Sequence, residues 1–349
     1  MRWLQRGAVV WLLLSLGLAP AGLRAGRAQE ADEAGSDAVA VTVRHQQHMS
    51  TRVSISVARP ESPAVLAAIA AAFAEVARIE RQLSKWRADS QIAEINRRAG
   101  KGPVAVGPEL FRMAELARDI SAASGGAFDV TFAALDGLWN FDARAPRLPD
   151  EDAVAARVAR VDFRKLVLDP KQRTLRLAAA GMRMGLGGIA KGYAVDRASR
   201  VLRRAGFGDH LVVAGGDLYA AGRRGDRPWR IGVRHPRDRS IHAVLEVADQ
   251  GVATSGNYER FFRIGGKRYH HLIDPRSGWP ARGVSSVTVV APDATRADGY
   301  ATALFVLGVD EGLALAEQQG LEVLYFDADF ATHRSQGLRL EAVDAAPTE

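Results

Sequence analysis

The chain has 349 residues, of which 47% are apolar, with no cysteine and a formal net charge of +7. That is enough apolar sequence for one large domain or two intimate ones, and it places the chain with ordinary globular proteins. The absence of cysteine excludes disulfides, a thiolate nucleophile and a lipidated cysteine anchor.

Basic residues open the chain, at Arg2 and Arg6, and Gly7 to Leu18 is an apolar run too short for a comfortable membrane span. The pattern reads as a secretory signal peptide over residues 1–28, followed by a polar leader over 29–40. Cleavage after Ala28 removes Arg2, Arg6, Arg24 and Arg27 and takes the net charge from +7 to +3. A charge of that size gives no argument for a nucleic-acid partner. The expectation is an exported, periplasmic protein, soluble or peripheral to the membrane, with no stable span once the signal is removed.

Val53–Val57 alternates as a strand, and Pro63–Leu83 carries Val65, Ile69, Val76 and Leu83 at helical spacing behind Ser62 as N-cap. A second helix is expected over Pro108–Ser124, ended by Gly125. Leu166–Leu168 and Thr174–Leu177 flank Asp169-Pro170 as a hairpin, and Ile189–Ala205 returns to helical spacing. Strands follow at 210–213, 229–234, 243–247, 268–273 and 284–290. Helices over 294–307 and 310–319 then precede a strand at 322–326. Antiparallel-looking strand runs mixed with helices, without a regular strand–helix repeat, make the fold class α+β. Residues 41–343 read as one catalytic unit.

Three segments carry chemistry. In Ala297-Asp-Gly-Tyr-Ala-Thr302, Asp298 and Thr302 stand four apart, so a helix places both on one face. Together they offer oxygen ligands to a hard cation such as Mg²⁺; alternatively Asp298 caps the helix and Thr302 is solvated or bonded back to the backbone. Gly185-Leu-Gly-Gly-Ile-Ala-Lys191 is a glycine-rich entry to a helix. Its backbone N–H groups and Lys191 suit a phosphate, and a tight structural turn explains the glycines equally well. In Tyr269-His-His-Leu-Ile-Asp274, His271 has the chemistry of a base for an incoming hydroxyl, or a structural role at a strand end; His270 belongs to the opposite face. Trp86, in the loop after the first long helix, is placed to stack on a flat ring. Phe128 and Trp139 read as core, and Asp129 and Thr131 as partners of a ligand or of neighbouring backbone. The runs 214–217 and 254–258 read as glycine-rich strand ends near a cleft.

In order, these segments resemble the ApbE-type FAD:protein FMN transferases. The runs that carry the resemblance are His48-Met-Ser-Thr51, residues 83–96, Gly126-Ala-Phe-Asp-Val-Thr131 with Leu138-Trp139, Gly187-Gly-Ile-Ala-Lys-Gly-Tyr-Ala-Val-Asp196, Ala214-Gly-Gly-Asp217 with Pro228-Trp229, residues 252–260, His271–Gly278 and Ala297–Thr302. They span nearly the whole chain beyond the leader, and eight runs in one register are far more specific than any one of them. The resemblance implies an FAD cleft between two subdomains, contacted by Met49, Trp86, Ala127, Phe128, Asp129, Lys191 and Leu272. It also implies a Mg²⁺ site of Asp298, Thr302 and the carbonyl of Gly188, and His271 as general base. The implied partners are FAD and an exported acceptor protein with an FMN-binding domain, flavinylated on a threonine or serine. Use of water as acceptor would make the chain an FAD pyrophosphatase, and binding without turnover would make it a carrier. Two positions depart from the family pattern. Gly185 stands where the family usually has an acidic residue that helps hold FAD, and Ser50 stands where it more often has glycine.

Overall fold

The computed structural model describes residues 39–342, except Arg239; the segment expected to be a signal peptide and most of the expected polar leader lie outside the described residues. In chain order the strands are β1 (Thr42–His48), β2 (Thr51–Val57), β3 (Val104–Ala105), β4 (Leu166–Asp169), β5 (Thr174–Leu177), β6 (His210–Ala214), β7 (Asp217–Ala221), β8 (Trp229–Arg234), β9 (Ile241–Val247), β10 (Gln250–Gly256), β11 (Phe261–Ile264), β12 (Lys267–His270), β13 (Val284–Ala291), β14 (Glu322–Asp327), β15 (Thr332–Arg334) and β16 (Glu341–Ala342). The helices are α1 (Pro63–Leu83), α2 (Gln91–Arg97), α3 (Pro108–Ala123), α4 (Glu151–Val158), α5 (Ala190–Arg204), α6 (Ala294–Leu307) and α7 (Val309–Gln318).

Eight strands form one antiparallel sheet in the order β1-β2-β6-β7-β10-β13-β14-β15. Because side chains alternate across a strand, β13 serves two cores at once. Val287 and Val289 pack among the helices, whereas Val290 packs with Trp229, Val233, Leu245 and Val247 of the β8–β9 hairpin. All eight residues of β13 are buried, the polar Ser285, Ser286 and Thr288 included.

The helical layer follows local rules closely. Ser62 Oγ accepts the Val65 N–H at 3.3 Å, Pro63 sits at the first position of α1, and the four apolar residues expected inward are buried. α1 packs on α5, α5 on α6, and α6 on β10 and β13. Arg78 and Arg197 tie Glu75 of α1 to Glu109 of α3. Burial would raise the Glu109 carboxyl, but bonds from Arg78 and Tyr193 pull it down to about 2.

The described residues belong to one compact unit, mixed α and antiparallel β as expected. The strand expected over 268–273 stops at His270. From there the backbone turns: His271 N–H bonds to Arg260 O at 3.0 Å, and Asp274 O accepts the N–H groups of Ser277 and Gly278. β1, β3, β7, β10, β11, β15 and β16 are strands that the sequence pattern does not predict; they are short or carry polar or glycine residues that blur the alternation.

Candidate active site

The β1–β2 hairpin turns at Met49 and Ser50, with φ of 51° and 58°. Positive φ at both central residues is the geometry of a type I′ turn, so Ser50 occupies a left-handed position that glycine adopts with less strain. Met49 N–H is held by Glu80 Oε1 of α1 at 2.8 Å. Next to this hairpin lies the β6–β7 turn, where a Cβ on Gly215 would lie 3.0 Å from Thr51 Oγ1 and one on Gly216 would lie 3.0 Å from Thr254 O. That turn delivers Asp217.

Asp217 is 2% exposed and forms a close ion pair with Lys191 in the first turn of α5. Lys191 Nζ also lies 3.6 Å from Asp298 Oδ1, and Asp298 Oδ2 accepts the Gly192 N–H at 3.0 Å. Two carboxylates thus share one ammonium. Burial opposes the charge on Lys191, yet Asp217 and Asp298 more than offset it and hold the ammonium protonated. Burial, and then the Asp298 charge, push the Asp217 carboxyl up against the pull of Lys191. The triad depends on close approach of two helices: a Cβ on Gly192 would overlap the Ala294 carbonyl and lie 2.9 Å from Asp298 Cβ.

One helical turn beyond Asp298, Thr302 reaches the glycine-rich entry to α5. A Cβ on Gly188 would lie 3.6 Å from Thr302 Oγ1 and 2.8 Å from Phe128 Cε2, so Gly188, Thr302 and Phe128 meet at one point. The oxygens available there, a carboxylate, a hydroxyl and backbone carbonyl, suit a hard cation that keeps open positions for phosphate oxygens. Among the described residues no group of three or more His, Asp or Glu is placed to hold a metal ion, so a cation here would draw on hydroxyl and carbonyl oxygens beside the one carboxylate.

His271 lies where the Lys191 charge still acts on its ring, as the smallest of the effects that lower its pKa. Its Nδ1 lies 3.3 Å from Arg260 O. A carbonyl only accepts, so Nδ1 carries the proton and Nε2 is the basic nitrogen. Burial, helped by the Arg260 and Lys191 charges and opposed by the Arg260 carbonyl, lowers its pKa to about 4, so the ring is neutral at neutral pH. His270 is buried on the other face, with Nε2 on Ala281 O at 2.9 Å.

The other expected contacts divide. Trp86 is 76% exposed, with Lys85 Nζ 4.8 Å from its ring centre, an open face for stacking. Ala127, Phe128 and Leu272 are buried in the main core, and Met49 packs against it. Asp129 serves its neighbours: it accepts from Thr131 N and Oγ1 and from Phe163 N. Trp139 is half-buried, stacked with Phe141, Phe262 and Tyr269, and donates to Gly278 O at 2.9 Å. At Gly185 a Cβ would lie 3.2 Å from Lys85 Cδ, and Lys85 pairs with Asp136 at 2.5 Å. Asp217 and the Lys85–Asp136 pair were not singled out from sequence. Asp217 had a signal, its glycine-flanked place in a matching run, but its partner is 26 residues away.

The ApbE family model matches residues 49–325. A protein of Treponema pallidum named FAD:protein FMN transferase is 37% identical over 314 residues, covering 84% of this chain and 86% of the relative. One of Klebsiella pneumoniae with the same name is 33% identical over 279 residues, covering 78% and 87%. The crystal structure of the ApbE protein from Thermotoga maritima superposes with a TM-score of 0.78 at 32% identity, over 85% of this chain and 97% of that one. The apo flavinyl transferase ApbE of Pseudomonas stutzeri gives 0.76 at 31%, over 85% and 95%. By sequence, by extent and by fold, the chain belongs to the ApbE family.

Proposed function

We propose that the protein transfers FMN from FAD to a threonine or serine hydroxyl of an exported acceptor protein, with Mg²⁺ required and AMP released. The observation that carries this reading is the buried Lys191–Asp217–Asp298 triad beside the close approach of Gly188 and Thr302, with a neutral His271 as the available base. Relatives named for this activity support it. Asp298, Thr302 and the Gly188 carbonyl would hold Mg²⁺, which supplies neutralisation of charge on the pyrophosphate. Lys191 and the helix entry at Gly187–Gly188 orient the phosphate oxygens. His271 Nε2 takes the acceptor proton as the hydroxyl oxygen bonds to the FMN-side phosphorus. The bond from that phosphorus to the bridging oxygen breaks, and its electron pair leaves with AMP. Charge from the bound pyrophosphate raises the His271 pKa from its low resting value toward the working range.

Met49, Trp86, Leu272 and the Ala127–Asp129 loop would frame the flavin and adenine moieties, with Trp86 supplying an exposed ring. Export is part of the same proposal and rests on residues 1–28. No helix among the described residues is long and apolar enough to cross a membrane.

The test is incubation with FAD, Mg²⁺ and an FMN-binding acceptor domain, followed by flavin fluorescence on the denatured acceptor band. Fluorescence that EDTA abolishes is expected; free FMN and AMP without a labelled band would make the enzyme a pyrophosphatase. Asp298→Ala is expected to abolish transfer. His271→Ala is expected to bind FAD normally and transfer at least about a hundredfold more slowly, in the range of lost general-base catalysis. Loss of FAD binding by that variant would make His271 a ligand contact.

A further inference from the structure

Beside the His271 segment lies a cavity, of about 390 Å³, that none of the steps above uses. Its walls are the β11–β12 hairpin and the loop entering β13, and they present Arg263, Lys267, Arg268 and Arg282 with no acidic residue. Among the described residues, none of these four forms an ion pair with a carboxylate. Arg268 bonds to Asn257 Oδ1 and lies over Phe261, Lys267 lies over Tyr269, and Arg263 also lies over the Phe261 ring and reaches the Gly266 carbonyl at 3.5 Å. Elsewhere the same chain pairs its cations freely, as in the Arg78, Arg197 and Lys85 bridges. His270, also in the wall and 5% exposed, has a buried Nδ1 without a hydrogen-bond partner.

We propose that this cavity receives an acidic stretch of the acceptor polypeptide; the assignment rests on the transferase reading above. Unpaired cations around an open cavity are electrostatically complementary to carboxylates, and such complementarity selects and steers partners. Arg263, Lys267 and Arg282 are exposed and spread over a hairpin and a loop, an arrangement suited to an extended chain more than to one compact phosphate. Both walls run into the site: β12 leads directly to His271, and Ala281 N–H bonds to Leu272 O at 3.0 Å. From Lys267 to His271 is four residues, about 13 Å of extended chain. An acceptor that offers a hydroxyl to His271 would therefore place residues three to five positions away over the cavity.

The probe is a fluorescein-labelled extended peptide with one threonine and three aspartates at three to five positions from it, compared with a twin carrying asparagines. By anisotropy at low salt, the intact protein is expected to bind the acidic peptide at least about tenfold more tightly. The preference should vanish in Arg263→Gln/Lys267→Gln/Arg282→Gln and weaken in Arg282→Gln alone, a change that removes no hydrogen bond seen among the described residues. FAD affinity, read by flavin fluorescence, should be unchanged in both variants. Equal binding of the two peptides, a preference that survives the triple substitution, or displacement of the acidic peptide by AMP would overturn the assignment. Transfer to a protein acceptor is measured in parallel. Transfer without peptide preference sinks the cavity assignment alone, whereas preference without transfer to any acceptor overturns the transferase reading, and with it the acceptor as occupant.

Discussion

Lys191 stands between two carboxylates, and the balance between them sets what Asp298 can offer a cation. With Asp217 made neutral, the ammonium has one anionic partner left and turns to Asp298, competing directly with Mg²⁺. Asp217→Asn is therefore expected to raise the half-saturating Mg²⁺ concentration for transfer about tenfold, equivalent to about 1.4 kcal/mol; an unchanged Mg²⁺ titration would remove Asp217 from the site. At Gly185 the resemblance and the geometry meet. A Cβ there would meet the flexible Lys85 stem at 3.2 Å, Ala133 Cβ at 3.3 Å and Phe132 Cε1 at 3.4 Å, so Gly185→Asp, which supplies the carboxylate the resemblance leads one to expect, needs these neighbours to give by a few tenths of an ångström. It should tighten FAD binding several-fold, measured by quenching of flavin fluorescence, and weaker binding would show that Lys85 is needed where it now lies.

At the scale of elements, the site is a junction of α5 and α6, whose registration two side-chain details enforce. Gly192 lets the helices touch. Asp196, one turn further along α5, accepts the Ala294 and Thr295 N–H groups, each at 2.9 Å, and so caps α6 from outside. Burial raises the Asp196 carboxyl to about 6 against those bonds, a cost carried for alignment of Lys191 with Asp298. Gly192→Ala forces a Cβ into the Ala294 carbonyl, so the helices must part. The expected result is a melting temperature lower by several degrees, on the order of 1–3 kcal/mol for overpacking, with transfer falling more steeply than stability. A variant that keeps full transfer would show that the close approach does not position the triad.

For the whole molecule, acid stability follows from buried neutral imidazoles. His210 is fully buried between Ser199 Oγ and the Phe207 carbonyl, each at 2.8 Å, and burial lowers its pKa to about 4. Between about 6.5 and 4 the unfolded chain takes up a proton that the folded chain refuses, so stability falls as pH falls through that window. From pH 7 to pH 5 the native protein should lose on the order of 2 kcal/mol more than His210→Gln does. The comparison cancels the contributions of Asp196 and Asp217, which act in the opposite sense. Urea titrations at the two pH values check it, and equal losses would refute it.

Much of this was legible along the chain because local physics wrote it there. The helix of Pro63–Leu83 carries its own cap, its own start residue and an apolar stripe, and the four-residue spacing of Asp298 and Thr302 holds on any helix. Strands with polar or glycine residues, such as β7 and β10, were not legible, since their burial comes from neighbours on both faces of the sheet. The sequence by itself determined the family, the mixed fold and the types of residue the chemistry needs. Only the tertiary structure decided that Asp217 pairs with Lys191, that Asp129 serves its own loop, that His271 is held neutral with Nε2 as its basic nitrogen, and that four cations gather unpaired beside its segment. Partners, burial and charge balance are properties of residues far apart in the chain, and nothing short of the folded contacts fixes them.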